Sequence, residues 1–132
     1  MKYIIILLIL AISYGSSAKL SGQARIDSLE AELPNAKADT NHVNLLHRLS
    51  FAYYTINPDK GIEYGEKGLA LANDINWKQG EAASYNNLAI NYSIKSDYPK
   101  ALEFWDSALS INKELDNIKG IAANLGNIGG CS

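Results

Sequence analysis

One cysteine, three prolines and two histidines among 132 residues are few, and each shortage closes a class of function. Cys131 is the only cysteine, so no intramolecular disulfide can form, and an unpaired, exposed thiol one residue from the end of the sequence is expected. His42 and His47 are five apart and do not share a helix face as i, i+4 ligands would. No cysteine or carboxylate completes a set around them, so no metal is expected. Cys131 has no shell of residues that would orient or activate it as a nucleophile. Gly126, Gly129 and Gly130 have neither the lysine of a phosphate loop nor the spacing of a dinucleotide fingerprint. The composition thus points away from an enzyme and away from any cofactor. Basic side chains are also too few and too scattered to attract nucleic acid, with 12 Lys and Arg against 14 Asp and Glu and a net charge of −2.

Long hydrophobic runs are confined to one place. Lys2 precedes the apolar stretch YIIILLILAI at residues 3–12, and Ser16-Ser17-Ala18 forms a small-x-small cleavage site. This layout predicts a signal peptide over residues 1–18. The run falls short of the roughly 20 residues a spanning helix needs, so the mature chain is expected to have no membrane span. The protein is then exported, to the periplasm or beyond. Removing the leader removes a single charge, Lys2, and leaves a net charge of −3.

What remains reads as helix throughout, with no competing strand pattern. Ile26, Leu29 and Leu33 fall at helical spacing until Pro34 ends the run, giving a leading helix and linker over residues 19–38. Asp39 and Thr40 are capping candidates for a second helix, where Val43, Leu46, Leu49, Ser50 and Tyr53 form one stripe. Asn57 before Pro58 is a strong start signal, and Asp97 is another. Helices are predicted over residues 58–75, 78–94 and 98–115, with a last one beginning near Ile118. Gly61, Gly65 and Gly68 share a face of the third helix, which should be weakened by them.

The chain also repeats itself. KGIEYGEKGLAL (60–71) returns forty residues later as KALEFWDSALSI (100–111). The register holds without a gap from the pair Lys60/Lys100 to Tyr92/Ser132, through Gly80/Gly120, expected to mark a turn, and on to Asn87/Asn127. Unrelated amphipathic helices would share apolar positions but not one register across a turn. A period near this length predicts stacked helical repeats.

Tyr85, Leu88, Ala89, Tyr92, Ala101, Trp105 and Ala108 resemble the pattern of the tetratricopeptide repeat family at its spacing. Leu46, Leu49, Ser50 and Tyr53 match in a weaker earlier copy, and the forty-residue period is similar to the kinesin light chain class. The resemblance implies an all-α, right-handed superhelical solenoid of antiparallel helix pairs. It would occupy residues 39–132 as two full repeats and the first helix of a third.

The resemblance also implies a function, the holding of a protein or peptide partner on the inner wall of the solenoid. That wall would carry His47, Arg48, Phe51 and Tyr54, then Asn86, Asn87 and Ile90, then Asn127. Asn87 and Asn127, forty apart, could form an amide ladder along a peptide backbone. A carboxylate clamp is not expected, since the matching points hold His47, Phe51, Ala123 and Asn127, with only Asn87 agreeing. An alternative expectation is the sensory input region of a transmembrane signalling protein, such as a histidine kinase or a nucleotide cyclase. The last helix, with no partner helix after it, is expected to fray or to mediate self-association.

Overall fold

The computed structural model describes residues 17–131, with side chains from residue 21 onward. The leader expected over residues 1–18 lies, but for Ser17 and Ala18, outside the described residues. The described chain is all-helical: α1 Ser17–Glu32, a 3-10 turn Leu33–Asn35, α2 Thr40–Tyr53, α3 Pro58–Asp74, α4 Lys78–Ile94, α5 Tyr98–Glu114 and α6 Ile118–Cys131. No described helix is long and apolar enough to cross a membrane.

The helices start where their caps are. Asp39 accepts from the backbone N–H groups of Asn41 and His42, at 2.9 and 3.2 Å. Asn57 accepts from Lys60 N, Asp97 from Lys100 N and Asn117 from Gly120 N, each at 3.2 Å. Each bond satisfies a donor that the first helical turn leaves free. Pro58 and Pro99 sit in the first turn of α3 and α5, where a missing N–H costs nothing.

The helices end on a shared device. Asn76, Ser96 and Asp116 take left-handed φ values of 54°, 63° and 51°. In each case the next residue's N–H reaches the carbonyl five back: Trp77 to Ala72, Asp97 to Tyr92 and Asn117 to Asn112, at 2.8 to 2.9 Å. These Schellman closures consume the last carbonyls and reverse the chain in three residues. The expected turn glycines are therefore misplaced: Gly80 and Gly120 lie inside the first turns of α4 and α6. They are small because a side chain covers each, Trp77 over Gly80 and Asn112 over Gly120.

Neighbouring helices pack in sequence order. Gly61, Gly65 and Gly68 of α3 face Asn91, Leu88 and Ser84 of α4, so the two run antiparallel. His47 meets Ser84 and Ser50 meets Asn91, so α2 and α4 run parallel, side by side. One apolar cluster joins Ile26 and Leu29 of α1 to Leu45, Leu46, Leu49 and Tyr53 of α2 and Tyr64 of α3. Full burial of a residue such as Leu49 contributes about 2 kcal/mol. A second cluster is built on Ala89, Ala101 and Trp105, with Ile128 and Cys131 of α6 against it. Cys131 is thus partly covered, not fully exposed as expected.

Candidate functional site

The eight residues expected on one wall separate by burial. His47 is a packing residue: its Nε2 lies 2.6 Å from Ser84 Oγ, in a space that Gly68 leaves open between α2, α3 and α4. Burial holds its pKa down at about 4, against a smaller opposing effect from a backbone hydrogen bond to Gly80. The imidazole is therefore neutral at pH 7 and presents no cation to a ligand.

Asn87 is also buried, at 9% exposure, and its carbonyl accepts from Asn91 Nδ2 at 2.9 Å. The partner that Asn127 finds on α4 is Asn86, the neighbour of Asn87. Asn127 Nδ2 donates to Asn86 Oδ1 at 3.3 Å, so the amide pair spans 41 residues and not forty. The physical reason is the indole of Trp105, whose Nε1 donates to the same Asn86 oxygen at 3.1 Å. That bond fixes Asn86 at the boundary between α4 and α5, within reach of α6.

Ile90 is half-buried against the Ala89, Ala101 and Trp105 cluster. Phe51 and Tyr54 stack with ring centroids 5.0 Å apart, and Phe51 remains 44% exposed. Arg48 is exposed and lines a different groove, of about 670 Å³, with Glu32, Lys37 and His42 between α1 and α2. Of the eight, the structure brings four together as two pairs, Phe51 with Tyr54 and Asn86 with Asn127, buries His47 and Asn87, packs Ile90 on the Trp105 cluster and turns Arg48 to the other groove.

A groove of about 200 Å³ adjoins the amide pair, between α4, α5 and α6. Gln79, Asn86, Asn112, Asn117 and Asn124 line it with Ala82, Ala83, Gly120 and Ala123, and no charged side chain does. Of these, Asn86 was expected to face a ligand and Ala123 to stand at a wall position, whereas the other amide side chains were not expected here. A signal was present: Asn112, Asn117 and Asn124 replace Ala72, Trp77 and Ser84 of the earlier copy, so the groove lies where the repeat departs from itself.

Among the described residues no group of three or more His, Cys, Asp or Glu side chains could hold a metal ion. Residues 91–93, Asn-Tyr-Ser, match the triplet of an N-glycosylation acceptor, but they lie within α4 with Asn91 fully buried. No protein-family model matches the chain, and no curated protein matches it.

Proposed function

We propose that this chain is an exported, non-enzymatic binding module of the tetratricopeptide type, a right-handed superhelix of antiparallel helix pairs that holds an extended peptide or protein segment. The observation that carries the reading is the parallel contact of α2 with α4 through His47–Ser84 and Ser50–Asn91. Stacked hairpins require that relation between the first helices of consecutive pairs. The exposed Phe51 ring offers apolar contact, and the amides of Asn86 and Asn127 offer hydrogen bonds that ignore side-chain identity.

Selection of random peptides against residues 19–132 tests this directly. Peptides are expected to emerge, and Phe51→Ser with Asn127→Ala should weaken them about tenfold, equivalent to roughly 1.4 kcal/mol. Folded protein that selects no peptide, or peptides that bind the double variant equally well, would overturn the reading.

A further inference from the structure

The asparagines around the α4–α5–α6 groove form two hydrogen-bonded sets whose polarity is set by groups that can only donate. The backbone N–H of Gly120 donates to Asn117 Oδ1 at 3.2 Å, which fixes the orientation of that amide. Asn117 Nδ2 then donates to Asn112 Oδ1 at 2.9 Å, and Asn112 Nδ2 to Asn124 Oδ1 at 2.8 Å. Every oxygen in this relay faces backward and every NH₂ faces forward, so it terminates in Asn124 Nδ2. The second set is anchored by the Trp105 indole, another pure donor. With Asn127 it occupies Asn86 Oδ1 twice and leaves Asn86 Nδ2 as the group available for further bonding.

Both terminal amides belong to residues that line the groove, and Asn124 is only 2% exposed. Aligned amides polarise one another, which strengthens the terminal donor. The lining has no side-chain cation to neutralise an anion and no carboxylate to attract a cation. Ala82, Ala83, Gly120 and Ala123 keep the space open for a planar group. At about 30 Å³ per water, the groove has the volume of about seven waters, enough for an amide and its flanking carbons.

We propose that this groove is a binding subsite for a neutral amide, whose carbonyl oxygen is held by Asn86 Nδ2 and Asn124 Nδ2. The ligand group is either a main-chain peptide unit or the carboxamide of a glutamine or asparagine side chain. Gln79, which both donates and accepts, is placed to meet its N–H. The assignment rests on the peptide-binding reading above and adds to it a preference for uncharged amides over acids.

Three small probes separate the possibilities: the N-acetyl N-methylamides of alanine, glutamine and glutamate, titrated into ¹⁵N-labelled protein at pH 7. The side-chain NH₂ resonances of Asn86 and Asn124 should shift and saturate with the alanine probe if the main chain is recognised. If the side-chain carboxamide is recognised, the glutamine probe should bind several-fold tighter than the alanine probe. Glutamate should bind no tighter than alanine, because its carboxylate would be desolvated without a counter-charge.

Ala123→Leu fills the groove from an exposed position and should abolish the shifts while leaving the rest of the spectrum folded. The proposal is overturned if the two NH₂ groups do not respond up to the probes' solubility limit. Equal shifts in Ala123→Leu, or tightest binding by glutamate, overturn it as well. Selected peptides that still bind a protein whose groove ignores all three probes would refute the subsite and leave the binding module standing.

Discussion

Asn91 fills the space in which Gly61 would carry a side chain. Its Nδ2 donates to Ser50 O and Ser50 Oγ at 3.3 Å and to Asn87 O at 2.9 Å, and a Cβ on Gly61 would strike the amide head-on. Asn91 Oδ1 is buried with no hydrogen-bond partner, so it lies against the Gly61 backbone with only weak C–H contact to offset its desolvation. Forty residues on, the copy resolves the same site differently: Ala101 stands for Gly61, and Cys131 stands for Asn91 against the cluster that includes Ala101. A small helix residue and its cross-helix filler have changed together.

Gly61→Ala should accordingly cost about 1 to 3 kcal/mol, although alanine is the better helix former. Gly61→Ala combined with Asn91→Cys, the pair present in the second copy, should recover part of that loss. Urea unfolding of the four members of the cycle measures the coupling. Additive effects would show that the two side chains do not compete for one space.

Acid should release the buried histidine. The folded-state pKa of His47 is near 4, below the ordinary 6.5 of the unfolded chain, so between these values the unfolded state binds the extra proton. Its contribution is present in full above pH 6.5 and is lost as pH falls through 4, by up to about 3 kcal/mol. His47→Gln retains a hydrogen-bonding group opposite Ser84 but cannot titrate. Unfolding free energies measured from pH 7 to pH 4 should fall more steeply for the native chain than for this variant. Parallel curves would place the acid sensitivity elsewhere.

Helix boundaries were legible because their causes are local. A cap reads the backbone three residues ahead, so Asn57 before Pro58, and Asp97, announce α3 and α5 without knowledge of the fold. The exposure of Asn87 and the pairing of Asn127 were not legible, because each depends on which neighbour claims a hydrogen bond. Trp105 draws Asn86 toward itself, and Asn127 follows Asn86. His47 looked like a surface group for a similar reason, since its burial requires the recess left by Gly68 on another helix. The groove residues were hidden by the repeat itself, which draws attention to what the copies share.

The hairpin of α4 and α5 closes on alanine. Ala89 and Ala101 are both fully buried in one cluster with Trp105, where added volume has no exit. Ala89→Leu or Ala101→Leu should each cost about 1 to 3 kcal/mol, a large fraction of what a small domain has. A lowered thermal midpoint is the expected result, and an unchanged one would show that the two helices are not held at alanine distance.

α6 is held on one side only. Asn124 is buried and Ile128 packs on the Trp105 cluster, whereas Leu125 is 52% exposed and a Cβ on Gly126, Gly129 or Gly130 would meet nothing within 4 Å. These glycines therefore weaken the helix without serving a close contact, unlike Gly61. Replacing each by alanine should stabilise α6 by about 0.5 to 1 kcal/mol, the opposite sign to Gly61→Ala. In the native chain, amide exchange is expected to be fast beyond Gly120 and slow from Leu88 to Tyr92, where α4 is covered on several sides. The triple variant Gly126→Ala, Gly129→Ala, Gly130→Ala should slow exchange in α6 selectively. The same measurement at rising protein concentration separates fraying from self-association, since a second copy seated on Leu125 would slow exchange only when the protein is concentrated. Strong protection of α6 in a dilute monomer would refute the view that this face lacks a partner.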